Sequence, residues 1–180
     1  MKGTAIGIFI AVLLLTFLQP LIEMANVMKE KVTLGAAILN SCRAARNNAL
    51  ESYDGYFDDY AGDHKMGDLD AFIEEDMFRE FFAEAFGQTL NLGVTYSSGG
   101  KISFESIDGR WGEMTVEVDL EYDDADVFDF DFSGRRMSSA TVRVETPYVF
   151  RTVPLKTMAS ITGGVYRITE TRKFIVQMIN

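Results

Sequence analysis

An uncharged apolar run near the amino terminus constrains this chain more than any other feature. Ala5 to Leu18 reads AIGIFIAVLLLTFL, and no charge is met before Glu23. The 18 residues from Ala5 to Ile22 fall within the span of about 17–25 that lets a helix cross a bilayer. The run therefore reads as a retained anchor or as a signal peptide with Lys2 as its basic region. No small-x-small cleavage site follows before Glu23, and helical periodicity continues past it, which favours the anchor. Ile6, Ile8, Phe9, Leu13, Leu14, Phe17 and Pro20 are the residues of this segment expected to meet lipid or neighbouring helices.

Beyond Pro20, the apolar residues Leu21, Met24, Ala25, Met28, Val32, Ala36 and Leu39 recur every three or four positions. Ala36, Ala37, Ala44 and Ala45 permit close helix approach. One helix is expected from residue 4 to about residue 50, roughly 70 Å long, with Pro20 kinking or loosening it. Two readings of the second half stay open, a core helix and a filament-forming stalk. The expected organisation is a hydrophobic membrane or filament-core helix (1–22), an amphipathic continuation (23–52) and an acidic α/β ectodomain (53–180).

Charge is distributed unevenly within a formal net of −10. Residues 1–53 carry five basic and three acidic residues, and residues 54–180 carry twelve basic and twenty-four acidic. A domain so acidic makes nucleic acid an unsuitable partner, because phosphate binding needs a basic face. Within the domain the charge divides again. Residues 54–131 hold twenty-two acids and four bases, whereas residues 132–180 hold two acids and eight bases. Subunits that associate acidic region against basic tail would use this opposition, with Arg135 and Arg136 as the test residues; pairing inside one subunit is the alternative. Lys29, Lys31, Arg43 and Arg46 follow the apolar run, so a strict positive-inside count places the carboxyl side in the cytoplasm. The short amino tail and the acidic domain favour the opposite, a single-pass protein with its ectodomain outside the cell.

Residues 51–67, with three glycines and five acids, read as a loop. A helix is expected over 68–86, capped by Asp68, striped by Leu69, Phe72, Ile73, Met77, Phe81 and Ala85, widened by Phe78, Phe82 and Phe86, and ended by Gly87. From residue 90 the period becomes two. Leu90, Leu92, Val94 and Tyr96 alternate with polar residues, Ser97 to Gly100 make a turn, and Ile102 and Phe104 resume the alternation. Met114 to Tyr122, Val142 to Phe150 and Tyr166 to Met178 repeat it. Such alternation belongs to an antiparallel sheet with one dry face. The fold class is thus α+β: a long amino-terminal helix, a second helix, and a mostly antiparallel sheet packed on the helices.

A long apolar helix ahead of a small antiparallel sheet resembles the type IV pilin class. The stretches CRAARNNAL (42–50), ATVRVETPYVFRTVP (140–154) and ITGGVYRITETRKFIVQMIN (161–180) are similar to the TadE-like pseudopilins of tight-adherence systems. The resemblance covers about half the chain and implies a pilin-like structural subunit of a cell-surface filament or adherence assembly. It implies homo-oligomers or other pilin-like subunits as partners. Gly3 stands where prepilin processing requires a glycine, but the fifth residue after it is Ile8 where the family typically has glutamate.

Chemistry-bearing motifs are sparse. No phosphate loop, GxSxG element or zinc spacing is present in the sequence. Cys42 and His64 are the sole cysteine and histidine, one in an apolar helical pattern and one in a polar loop. The run EYDDADVFDFDF offers Asp123, Asp124 and Asp126 as calcium ligands without EF-hand spacing, and a solvated acidic edge is the plainer reading. The expectation is a structural protein, not an enzyme, with no cofactor, no metal and no small-molecule substrate. The alternative is an anchored accessory or binding module of a secretion or conjugation machine that does not polymerise. Mass spectrometry of the mature protein should find residues 1–22 retained; a chain beginning near residue 23 would refute the anchor, and loss of only three residues would match pilin-type processing.

Overall fold

The computed structural model describes residues 2–57, 73–124 and 135–176. Helix α1 (Lys2–Phe57) is followed by α2 (Glu75–Leu90), β1 (Leu92–Ser98), β2 (Lys101–Ser106), β3 (Met114–Asp124), β4 (Arg135–Tyr148), α3 (Val153–Thr162) and β5 (Tyr166–Ile175). The strands form one sheet in the order β1-β2-β3-β4-β5, antiparallel throughout. The α+β layout is therefore as the sequence implies.

Helix α1 is continuous across Pro20 and runs to Phe57, so residues 51–57 are helical and not loop. Its first part stands clear of the domain, with Ile6, Ile8, Phe9, Leu13, Leu14 and Phe17 all exposed. The domain-facing stripe is Glu23 and, two turns on, Glu30, Leu34, Ile38, Ser41 with Cys42, Ala45 and Ala49, which recur every three or four residues. Leu21, Met24, Met28 and Val32, the apolar repeat evident in the sequence, lie on the opposite face and are exposed. The periodicity is real, but it marks the outer face. Here the helix turns carboxylates inward and methionines outward.

Helix α2 begins later and ends later than its apolar pattern suggests. Glu74 has an extended backbone (ψ 138°) and precedes the first turn, while Asp68 lies outside the described residues. Asn91 adopts the left-handed conformation (φ 56°) and its N–H returns to the Gly87 carbonyl, closing the helix. Gly87 serves a different purpose from the expected stop. A Cβ there would lie 2.9 Å from the Leu92 carbonyl oxygen, so glycine lets the helix end approach β1. Phe78, Phe82 and Phe86 are fully buried, whereas Met77 and Phe81 are only partly so. Phe82 and Phe86 stack at 5.4 Å, and Phe86 meets Phe104 of β2 at the same distance. Truncating such a buried phenylalanine costs about 3–5 kcal/mol.

Gly99 and Gly100, both with positive φ, close the β1–β2 hairpin in two residues. Along β1 the expected alternation fails. The register slips between Val94 and Tyr96, so Tyr96 pairs with Ser103 on the wet face. Val94 pairs with Phe104 on the dry face but lies at the uncovered edge, 51% exposed. In the central strands the alternation holds. Val116 pairs with Val144, Val118 with Val142 and Leu120 with Ala140. On edge strand β5, Ile168 is buried, while Glu170 and Arg172 share its face and pair at 2.7 Å. The Arg172 guanidinium lies against α1 at Gly35, where a Cβ would come within 2.8 Å. Inward charges on an edge strand discourage pairing with another chain. Helix α3, which the sequence pattern did not reveal, bridges β4 and β5 and ends on Gly163 (φ 64°).

Val118 has no exposed surface, whereas Glu117 is half exposed and pairs with Lys101 at 3.0 Å. Val118→Asp should therefore cost about 3 kcal/mol or more as an unpaired buried charge, and Glu117→Ala should stay within about 0.5 kcal/mol. Thermal melting of the two variants checks the strand register.

Candidate functional site

The most concentrated polar arrangement among the described residues joins α1 to the far end of β4. Glu23 is the first charged residue after the apolar run, yet only 3% of it is exposed. Its Oε2 accepts a hydrogen bond from the Tyr148 hydroxyl at 2.5 Å. Its Oε1 accepts from the backbone N–H groups of Arg151 (2.7 Å) and Thr152 (2.5 Å). Thr152 is the N-cap of α3 and its side chain makes no cap bond. The Glu23 carboxylate stands at that helix start instead, where the helix dipole favours negative charge.

Two turns along α1, Glu30 is also buried, and Arg151 and Arg110 reach it at 2.5 and 3.3 Å. Arg110 is delivered by the β2–β3 loop. Asp108 accepts from Ser106 Oγ (2.8 Å) and from the Arg110 N–H (3.0 Å), and the Trp111 N–H donates to Ser106 Oγ at 3.2 Å. That fixed turn also stacks the Arg110 guanidinium 5.1 Å from the Trp111 ring. Arg151 thus contributes twice, its backbone to Glu23 and its side chain to Glu30.

Electrostatics follow from this geometry. Burial is the largest single influence on the Glu23 carboxyl and works to raise its pKa. The hydrogen bonds from Tyr148, Thr152 and Arg151 together outweigh burial and hold the carboxyl below its ordinary range. Burial, and then the hydrogen bond and charge of Glu23, push the Tyr148 hydroxyl up to about 12, so it remains a donor at physiological pH. Tyr148 is further held by Phe150 and Tyr166, whose ring centroids lie 5.5 and 6.2 Å away. The arrangement is built to fix a helix to a sheet. The partly exposed guanidiniums of Arg110 and Arg151 both pair with the buried Glu30 carboxylate.

The residues singled out from sequence fall elsewhere. Gly3 lies in the first turn of α1, and Pro20 is exposed within it. Asp123 and Asp124 end β3, where the register sets them opposite Arg136 and Arg135 of β4. Asp126 lies outside the described residues, as does His64. Among the described residues no group of three or more His, Cys, Asp or Glu side chains is placed to hold a metal ion. Cys42 is buried in the α1 stripe, and burial pushes its thiol up to about 12, which leaves it unreactive. Of the eight basic residues in the carboxyl-terminal part, Arg151, Arg167, Arg172 and Lys173 pair with Glu30, Glu145, Glu170 and Glu121 of the same chain. Glu23 and Glu30 were not evident as site residues. Their signal was an i, i+7 spacing that puts the first two acids of α1 on one face.

Comparison with known proteins finds no family model, no curated protein and no solved structure that matches the chain.

The depressed Glu23 carboxyl makes the domain's attachment pH-dependent. Between the folded pKa and the unfolded value of about 4.3, the unfolded chain binds more protons, so stability rises with pH in that window and is complete above it. Melting temperature should fall as pH drops through that range. Glu23→Gln should flatten this dependence and lower stability at pH 7 by about 1–3 kcal/mol; an unchanged acid profile in the variant would contradict the assignment.

Proposed function

We propose that the chain is a membrane-anchored structural subunit that assembles, pilin-like, through its long helix, and that it is not an enzyme. One observation carries this reading: α1 is apolar on the face it turns away from its own domain. Leu21, Met24, Met28 and Val32 continue the exposed apolar surface of residues 5–22 past the point where the domain begins. A helix serving only its own core would carry polar residues at these outward positions. The face is suited to lipid in its first part and to the α1 helices of neighbouring copies in its second.

Candidate span Thr4–Ala49 is long and apolar enough to cross a membrane, and none of its most apolar window is buried by the domain. Anchoring in a cell membrane with the domain on the outer side belongs to the same proposal. Rigid attachment through Glu23 and Glu30 supports it further, because a subunit packed by its helix must display its domain at a fixed angle. The TadE-like resemblance of the carboxyl-terminal stretches points the same way.

Electron microscopy of the full-length protein in its native cells tests the proposal. Regular filaments or ordered oligomers are expected. Met24→Glu combined with Met28→Glu should abolish them while leaving the melting of the domain within about 0.5 kcal/mol, because both side chains are exposed. A chain that stays monomeric in the membrane and retains one machine component would instead support the accessory-module alternative.

A further inference from the structure

The β4–β5 connection has a position and a chemistry unlike the rest of the domain. The 18 uncharged residues from Ala5 to Ile22 extend about 27 Å as a helix, close to the roughly 30 Å thickness of a bilayer's hydrocarbon core. Glu23 then stands at the hydrocarbon boundary. Its carboxylate is bonded to the N–H groups of Arg151 and Thr152, so the start of α3 is held at that same level.

The segment at this level exposes aliphatic side chains. Val149 is 63% exposed, Val153 75%, Ile161 80% and Val165 66%. Single exposed valines are ordinary, but four exposed aliphatic residues within one connection, whose start is held beside Glu23, form a patterned surface. The charge there is also reversed. From Thr146 to Thr169 the chain has three basic residues, Arg151, Lys156 and Arg167, and no acidic one, although the whole chain carries −10. Arg151 and Arg167 are engaged with Glu30 and Glu145, which leaves Lys156 as the main attraction for anionic headgroups. Tyr148, Phe150 and Tyr166 cluster behind the segment with centroids 5.5–6.3 Å apart, and tyrosine is enriched at membrane interfaces.

We infer that residues 149–166 form a second membrane contact, resting on the lipid surface with their exposed aliphatic side chains at the headgroup boundary. This inference rests on the anchored reading above. Apolar side chains beside basic ones are the pattern of an interfacial element. The contact would bring the domain down onto the bilayer and set its tilt.

The test uses the full chain reconstituted in phosphatidylcholine vesicles containing phosphatidylglycerol. An environment-sensitive fluorophore is placed on Val153→Cys, Ile161→Cys, the hairpin control Ser98→Cys, or the anchor control Phe9→Cys; native Cys42 is buried. Unchanged melting confirms that each label is tolerated. The labels at 153 and 161 should be blue-shifted and several-fold less accessible to aqueous acrylamide than the label at 98, and spin-labelled lipid should quench them. Accessibility at 153 and 161 equal to that at 98, with Phe9 shielded, would overturn the inference and leave the anchor standing. Exposure of the Phe9 label would overturn the anchored reading and the inference with it. Shielding at 153 and 161 that grows with protein density at fixed lipid would overturn the inference and assign the face to a second copy.

Discussion

Two buried carboxylates on one helix decide how this molecule is put together. Glu23 and Glu30 stand seven residues apart on α1, about 10 Å along its axis. They engage the β4–α3 junction and the β2–β3 loop. Burying a carboxylate without partners is far more costly than the net stability of a domain allows. Each therefore commits the sheet to one position. Sliding the sheet by one helical turn would strand both charges and their donors. The apolar contacts of Leu34, Ile38 and Ala45 with the core tolerate small shifts better, because dispersion is non-directional. Buried ion pairs contribute little net stability. Their effect here is to specify where along the helix the domain sits.

That specification frees the opposite face. Because Glu23 and Glu30 take the inward positions at the lower end of the domain, Met24, Met28 and Val32 are left outside. The continuity of α1 through Pro20 matters equally. A proline costs about 3 kcal/mol in a helix interior in water, yet it is tolerated in apolar helices whose neighbours satisfy the freed carbonyl. With no break between the apolar segment and the locked segment, a displacement of one is transmitted to the other.

Much of the architecture was legible in the sequence, and the failures have specific causes. Central strands β3 and β4 were readable because each buries one face, so Val116, Val118, Val142 and Val144 impose a period of two. Edge strand β1 was misread because one bulge moves Tyr96 to the other face, and no alternation pattern encodes a bulge. The apolar repeat of α1 showed a helix but not which of its faces packs on the domain. Helix α3 escaped notice because its ten residues carry exposed valine and isoleucine and too little periodicity. Gly87 was read as a terminator, though the helix needs it for close approach and Asn91 supplies the stop. As for the site, Asp123 and Asp124 were noticed because acids cluster there, while the acids that structure the molecule sit singly. A burial partner 125 residues away leaves no local trace.

The basic tail carries a charge opposition that the fold uses in part within the chain. Its surplus over residues 132–180 is visible in sequence as an opposition between halves, which suggests contact between subunits. In the folded chain, antiparallel pairing brings those halves side by side. Arg136 and Arg135 come opposite Asp123 and Asp124, and Lys173 reaches Glu121 at 2.7 Å. One ion pair, Lys173 with Glu121, joins the two regions among the described residues. Exposed pairs of this kind are worth at most about 1 kcal/mol each, too little to hold subunits together. In the proposed assembly the exposed apolar residues of α1 would supply the affinity, and charge would contribute to orientation. By fixing the domain to one face of α1, the buried carboxylates decide which face of the helix stays exposed.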